Sequence, residues 1–154
     1  MASIYQLENI QRLPITLTEA WDYFSNPENL KELTPPYLRM VIEARSGSEK
    51  IYPGQIIIYR IKPLLGIPMS WVTEITHVQK ESFFVDEQRF GPYAFWHHAH
   101  FFREVSGGVE MRDLVHYKIR LGVLGSLANH LFIRRQLEGI FTFRKNFLNT
   151  RYPT

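Results

Sequence analysis

Six strand-like segments follow one another between Tyr37 and Gly122, and a short break separates each from the next. They cover residues 38–45, 55–62, 69–79, 82–89, 93–105 and 109–120, and most of the breaks contain glycine, proline or serine. Gaps this short suit hairpins, whereas a crossover between parallel strands needs a dozen or more residues. The sequence therefore predicts an antiparallel meander rather than a chain of βαβ units.

The flanking segments complete the expected architecture. Residues 3–13 alternate and predict a first strand that ends at Pro14. Two short helices should follow, one capped by Thr16 or Thr18 with Glu19 in the capping-box position for Thr16, and one opened by Pro27. Residues 124–148 predict one long helix of about 36 Å. Its expected buried side is Leu127, Leu131, Leu137, Ile140, Phe141, Phe147 and Leu148.

The predicted fold is therefore α+β, in the order β-α-α-β6-α. A curved seven-stranded antiparallel sheet wraps around the long C-terminal helix, because bulges and glycines bend such a sheet. The space between sheet and helix is where an apolar ligand would bind.

Composition indicates one domain without thiol chemistry. The 154 residues are 45% hydrophobic and 21% charged, which is typical of a single globular domain spanning residues 1–154. There is no cysteine, so a disulfide scaffold, a thiolate zinc site and a cysteine nucleophile are excluded. The first eight residues lack a signal-peptide pattern, and no apolar run approaches the roughly 20 residues needed to span a bilayer. We expect a soluble, cytoplasmic protein with no stable membrane insertion.

Basic residues cluster near the C-terminus, with a single acid, Glu138, among them. They are Arg134, Arg135, Arg144, Lys145 and Arg151. A basic helix can meet nucleic acid or an anionic membrane, but no nucleic-acid-binding motif accompanies this one. We therefore expect a solvated helix face whose cations complement the helix dipole, and no nucleic-acid partner.

Several motifs lie along this predicted layout. They are Trp71, Glu74 and Ile75; Phe84-Val85-Asp86-Glu87-Gln88; Gly91-Pro92-Tyr93; Trp96-x-His98-x-His100-x-Phe102; Met111-Arg112-Asp113-x-Val115-x-Tyr117; Gly122-x-Leu124-Gly125; and the helical segment 131–144. With the layout, they resemble the helix-grip superfamily (START-like, Bet v 1-like and SRPBCC domains), and within it a bacterial polyketide cyclase/dehydrase-like subgroup. The resemblance implies an apolar cavity that binds a small molecule, and it implies no particular reaction.

Strand periodicity assigns side chains to the interior, because successive residues point to opposite faces. In the last strand the inward set is Met111, Asp113, Val115 and Tyr117. In the strand before it, both faces are rich in aromatic residues. The even face is predicted to point inward because Arg103 then points out, and it carries Trp96, His98, His100 and Phe102.

The predicted ligand-binding residues follow from these faces and from the helix. They are Trp71, Phe84, Asp86, Gln88, Trp96, Phe102, Met111, Val115, Tyr117, Leu137, Ile140 and Phe141. The expected partner is a small apolar molecule of lipid, isoprenoid or polyketide type.

The inward histidines and carboxylates leave several interpretations open. Asp113 with His98 or His100 could form a satisfied internal network, since a buried carboxylate needs a partner. The same group could orient a polar end of the ligand. It could also be catalytic, with a histidine of the His98/His100 pair as base and Asp113 orienting it, as in a cyclase or dehydratase. His98-x-His100 with a carboxylate could hold zinc, but this motif alone is a weak signal, and neither a metal nor a cofactor is expected.

Overall fold

The computed structural model describes residues 4–64, 66–120 and 129–153. Seven strands form one antiparallel sheet: β1 (Tyr5–Leu13), β2 (Val41–Arg45), β3 (Gln55–Leu64), β4 (Ile67–Gln79), β5 (Phe83–Phe90), β6 (Tyr93–Val105) and β7 (Gly108–Ile119). Their spatial order is β1-β7-β6-β5-β4-β3-β2. The predicted meander is confirmed, with β1 completing the sheet beside β7.

The first helix, α1 (Leu17–Phe24), begins with the predicted capping box. The Glu19 amide donates to Thr16 Oγ1, and the Thr16 amide donates back to the Glu19 carboxylate. The predicted second helix is a single 3₁₀ turn, Pro27–Lys31, and a further 3₁₀ turn covers Pro36–Leu38. Pro35 and Pro36 limit the predicted second helix at its C-terminal end, because a residue before proline is disfavoured in the helical conformation.

The C-terminal helix, α2 (Arg134–Arg151), continues from a π-helical turn at Asn129–Ile133. It extends one turn beyond the predicted end at residue 148. Residues 121–128, which include the predicted helix start, Leu127 and the Gly122–Gly125 turn, lie outside the described residues. Among the described residues, no helix is both long and apolar enough to cross a bilayer.

Side chains of the concave face of the sheet pack in three groups. The α1 cluster joins α1 and the end of α2 to the sheet through Trp21, Phe24, Phe84, Phe102, Met111 and Leu148. The α2 cluster joins the first half of α2 to the sheet through Tyr93, Trp96, Val115, Tyr117, Leu137 and Phe141, with Trp71 and Ile140 packed against it. A third group, Ile57, Tyr59, Ile61 and Ile75, lies on β3 and β4. One long helix held in a curved sheet is the predicted helix-grip architecture.

Gln11 fixes α2 on the sheet at the β1 side. Its buried amide donates to the Lys145 carbonyl oxygen at 3.1 Å and to Asn149 Oδ1 at 2.9 Å. These bonds join the first strand to the last helix. Gln11 and Lys145 are 134 residues apart in sequence.

Candidate functional site

The concave face of β6 carries His98 and His100, which is the predicted face. Both side chains are buried, whereas His97 lies on the opposite face beside His116. Strand register brings the carboxylates to them: Asp86 pairs with His98 across β5 and β6, and Asp113 pairs with His100 across β6 and β7. Three strands therefore deliver four ionisable side chains to one place.

The two imidazole rings lie side by side, with centroids 3.7 Å apart, between the two carboxylates. On one side, Asp86 Oδ2 is 2.6 Å from His100 Nε2 and 3.6 Å from His98 Nδ1. On the other side, Asp113 Oδ1 is hydrogen-bonded to His98 Nε2 at 3.0 Å. His100 Nδ1 is also 3.0 Å from Asp113 Oδ1, but without hydrogen-bond geometry.

Arg144 of α2 completes this set, and its predicted position on a solvated basic helix face is wrong. It is only 6% exposed, and its Nη1 donates to Asp113 Oδ1 at 3.3 Å. Its guanidinium also lies over the Phe24 ring, 5.2 Å from the centroid. The helical spacing of Leu137, Phe141, Arg144 and Leu148, which are all buried, is the sequence signal that could have identified it. We call Asp86, His98, His100, Asp113 and Arg144 the His–Asp network.

The carboxylates of the network are held in their ionised forms. Burial alone would raise the pKa of Asp113, but the Arg144 charge and the close contacts with His100 and His98 hold that pKa well below its usual range. Burial likewise opposes ionisation of Asp86, yet the electrostatic interaction with the neighbouring His98 and the hydrogen bond from His100 lower its pKa. Two negative charges are therefore present in the interior.

The pKa values of the two histidines shift in opposite directions. Burial and the neighbouring His100 lower the pKa of His98. Burial also disfavours the charged form of His100, but contacts with Asp113 and Asp86 outweigh it and raise that pKa. The surroundings therefore favour the neutral form of His98 and the charged form of His100.

Asp86 is the most accessible member of the network, with 18% of its side chain exposed. Its Oδ1 accepts a hydrogen bond from Trp96 Nε1 at 3.3 Å. Trp96 belongs to the α2 cluster, so this bond connects the network to the aromatic side chains beside it.

Most of the predicted aromatic and helical lining residues meet in the α2 cluster. They are Trp71, Trp96, Val115, Tyr117, Leu137, Ile140 and Phe141. The rings of Trp71 and Trp96 meet edge to face, with centroids 5.1 Å apart. These contacts make a nearly continuous aromatic surface along β4, β6 and β7.

Tyr93 belongs to the same surface, and alternation alone did not identify it. Its ring is 4.8 Å from Trp96 and 5.6 Å from Trp71 between centroids. The register of β6 against β7 shifts between Tyr93 and Phe95, so an odd-numbered residue points inward before the shift and even-numbered ones after it.

Phe84, Phe102 and Met111, also predicted to bind ligand, pack in the α1 cluster. The Phe84 ring stacks on His100 with centroids 4.1 Å apart, and Phe102 contacts Trp21. They therefore hold the network from the side of α1, and a ligand-binding role for them stays a prediction.

Gln88 uses its amide within its own hairpin. Nε2 donates to the Tyr93 carbonyl oxygen at 2.8 Å, and Oε1 accepts from the Tyr93 amide at 3.1 Å. These bonds span the turn at Gly91, so the structure gives Gln88 a structural task, and its predicted contact with a ligand stays a prediction.

No protein-family model and no curated protein sequence matches the chain. Solved structures do match over nearly the full length. An uncharacterized protein from Rhizobium leguminosarum has a TM-score of 0.70 at 13% identity, over 97% of each chain. Ara h 8.0201 has a TM-score of 0.62 at 13% identity, over 96% of this chain and 99% of that one. The di-domain ARO/CYC protein BexL from the BE-7585A biosynthetic pathway has a TM-score of 0.69 at 12% identity, over 98% of this chain and 50% of that one. These similarities establish the fold.

Proposed function

We propose that this helix-grip domain binds a small, largely apolar molecule between the concave face of its sheet and α2. The supporting observation is the aromatic surface of Trp71, Tyr93, Trp96 and Tyr117, which continues directly into the His–Asp network through the bond from Trp96 to Asp86. Ligand sites are typically apolar with a few fixed polar groups of this kind. A lipid, an isoprenoid or a polyketide has the matching chemistry.

The ligand is assigned to the α2 side of the network rather than to the α1 side. On the α1 side, Trp21 packs edge to face on Phe84 and Phe102, with centroids 6.1 and 5.6 Å apart, and Phe24 fills the remaining contact with Phe102.

Both sides carry partly buried apolar residues. On the α2 side they are Trp71 and Ile140, next to the aromatic surface. On the α1 side, the cleft at Ile51 and Val78 is also lined by charged side chains, those of Asp22, Lys50 and Lys80, which suit an apolar ligand less well. Apolar surface left partly uncovered inside a fold is the surface on which a ligand gains binding energy.

The polar end of the ligand should meet Asp86. An ionised carboxylate only accepts hydrogen bonds, and Asp86 is the network member with the most exposed side chain. The two oxygens of Asp86 already accept from Trp96 and His100, and a hydroxyl or amine on an otherwise apolar molecule would donate to a remaining lone pair.

Catalysis by a histidine base, the alternative expected from the sequence, is less well supported. A general base must come within about 2.6–3.2 Å of the proton it removes. Each of the four ring nitrogens of His98 and His100 already lies within 3.6 Å of a carboxylate oxygen. Binding without turnover therefore fits the geometry better than a cyclase or dehydratase does.

Contact quenching of tryptophan fluorescence by a dibrominated long-chain alcohol tests the proposed site. The chain has three tryptophans, of which Trp21 is in the α1 cluster while Trp71 and Trp96 are at the α2 cluster. The Trp21→Phe variant reports only on the proposed site, and the matched Trp71→Phe/Trp96→Phe variant reports only on the opposite end.

We expect saturable quenching in Trp21→Phe, reversed by the unbrominated alcohol, and little quenching in the double variant. Equal quenching of both variants would show non-specific uptake, and its absence from both would argue against an apolar site.

A further inference from the structure

We propose that Asp86, His98 and His100 bind one divalent transition metal ion of the zinc or iron(II) type, with Asp113 and Arg144 holding the two histidines in position. The inference rests on the geometry of the His–Asp network and does not depend on an apolar ligand.

The three side chains are close enough to share an ion. One potential ligand atom from each lies within 4.8 Å of the others. On the side of Asp86, the relevant distances from its Oδ2 are 2.6 Å to His100 Nε2 and 3.6 Å to His98 Nδ1. Ligands at about 2.0–2.2 Å from a tetrahedral ion lie about 3.3 Å from one another. A metal therefore requires adjustments of about an ångström or less in these two separations.

The hydrogens of the two imidazoles favour a cation at this point. Four ring nitrogens face two carboxylates, and two neutral rings carry only two N–H groups between them. Without a metal, and with only His100 protonated, the lone pair of His98 Nδ1 faces Asp86 Oδ2 across 3.6 Å. A metal on the Asp86 side accepts lone pairs from His98 Nδ1 and His100 Nε2. The remaining nitrogens then carry the hydrogens. His98 Nε2 is hydrogen-bonded to Asp113 Oδ1 at 3.0 Å, and His100 Nδ1 lies 3.0 Å from the same oxygen without hydrogen-bond geometry.

The side chains around the three proposed ligands are arranged as they are around metal sites in other proteins. Histidine ligands in proteins usually donate their second N–H to a carboxylate, and ligating carboxylates are themselves hydrogen-bonded. Asp113 is the carboxylate beside the second nitrogens of the two histidines, and it is itself paired with Arg144. Trp96 donates to Asp86 Oδ1, so an ion bound at Oδ2 would replace only the hydrogen bond between Oδ2 and His100 Nε2. Two histidines and one carboxylate leave further coordination positions open, and they suit zinc or non-haem iron(II).

Titration of the chelator-treated protein with Co²⁺, followed by visible absorption and by calorimetry, tests the site. We expect one Co²⁺ per chain and competition by Zn²⁺. His98→Gln/His100→Gln should abolish stoichiometric binding, and Asp86→Asn should weaken it strongly. Asp113→Asn, which keeps the three ligands but loosens them, should weaken binding about 10- to 100-fold.

The matched control is His97→Gln/His116→Gln, which removes two histidines from the opposite face of the same strands. This variant should bind Co²⁺ like the wild type. Circular dichroism checks that each variant is folded, and the wild type alone supplies a second measurement. In its proton spectrum, bound Co²⁺ should shift the imidazole signals of His98 and His100 strongly and those of His97 and His116 weakly.

Absence of stoichiometric Co²⁺ and Zn²⁺ binding by the wild type would overturn the proposal. Loss of binding in the outer-face control, with retention in folded His98→Gln/His100→Gln, would overturn it equally. Since no apolar ligand is present in these titrations, their failure leaves the quenching experiment as a separate result.

Discussion

Arg144 of α2 donates a hydrogen bond from Nη1 to Oδ1 of Asp113 on β7, 3.3 Å away, and both side chains are buried. The contact joins the C-terminal helix to β7 at a point between the α1 cluster and the α2 cluster. Because Arg144 is paired with Asp113, the buried charges of both side chains are compensated inside the fold.

Replacing Arg144 by methionine should destabilise the protein by about 3–5 kcal/mol, because Asp113 is then left buried without its cation. Arg144→Lys should fall between this variant and the wild type, since it keeps the charge and loses the planar fork. Urea unfolding followed by circular dichroism measures both.

Arg134 supplies the control for this comparison. It pairs with Glu138 one turn along the same helix, and both side chains are about half exposed. Arg134→Met should change the free energy of unfolding by no more than about 0.5 kcal/mol. Similar losses for the two arginines would contradict a buried structural role for Arg144.

Asp113 should make the stability of the protein depend on pH in the acid range. A carboxyl group whose pKa is lowered on folding stabilises the fold above its unfolded pKa of about 3.9, and that contribution is lost as the pH falls through the lower folded value. The pKa of Asp113 is held well below its usual range, chiefly by Arg144 against the effect of burial. Asp113→Asn should therefore be less stable than the wild type at neutral pH, and the difference should shrink below about pH 4.

Urea midpoints for the wild type and Asp113→Asn, measured across a pH series in the presence of a chelator, give this comparison. Asp86 is present in both proteins, so its own contribution to the pH dependence of stability is common to both curves. A difference in stability that stays constant from neutral to acid pH would show that ionised Asp113 does not contribute in this way.

The turn between β6 and β7 offers a test of the sheet itself. Gly108 has φ +154°, and a Cβ added there would lie 2.0 Å from the Leu13 carbonyl oxygen on β1. Gly107 has φ +82°, but a Cβ there would meet no atom within 4 Å. Gly107→Ala should cost about 1–2 kcal/mol from its left-handed backbone alone, and Gly108→Ala should cost clearly more because β1 must move. Thermal unfolding measures both, and equal costs would be inconsistent with β1 packing this closely against the turn.

The sequence predicted the fold because the signals for it are local. Strand alternation and turn residues gave the seven-stranded meander, and the Thr16–Glu19 pair gave the start of α1. Alternation also identified the inward faces of His98 and Asp113. It failed at Tyr93, because the register shift in β6 leaves no clear mark in the sequence. Arg144 was missed for another reason: its charge suggested solvent, although its helical spacing from Phe141 and Leu148 points to the interior.

The sequence does not predict which atoms of the site residues are hydrogen-bonded to each other. That Asp86 contacts both histidines while its other oxygen accepts from Trp96 depends on strand register and side-chain rotamers, which residue types do not determine. The same holds for Gln88, which shares a face with Asp86 but bonds to the backbone of its own hairpin.

Native mass spectrometry of the protein purified from its own organism tests most directly whether the domain holds an apolar molecule. We predict a population heavier than the bare chain by one small molecule that is released on denaturation, and a one-to-one complex when a long-chain alcohol is added to the stripped protein. A bare-chain mass in every native preparation, with no alcohol complex formed on titration, would contradict the proposed function.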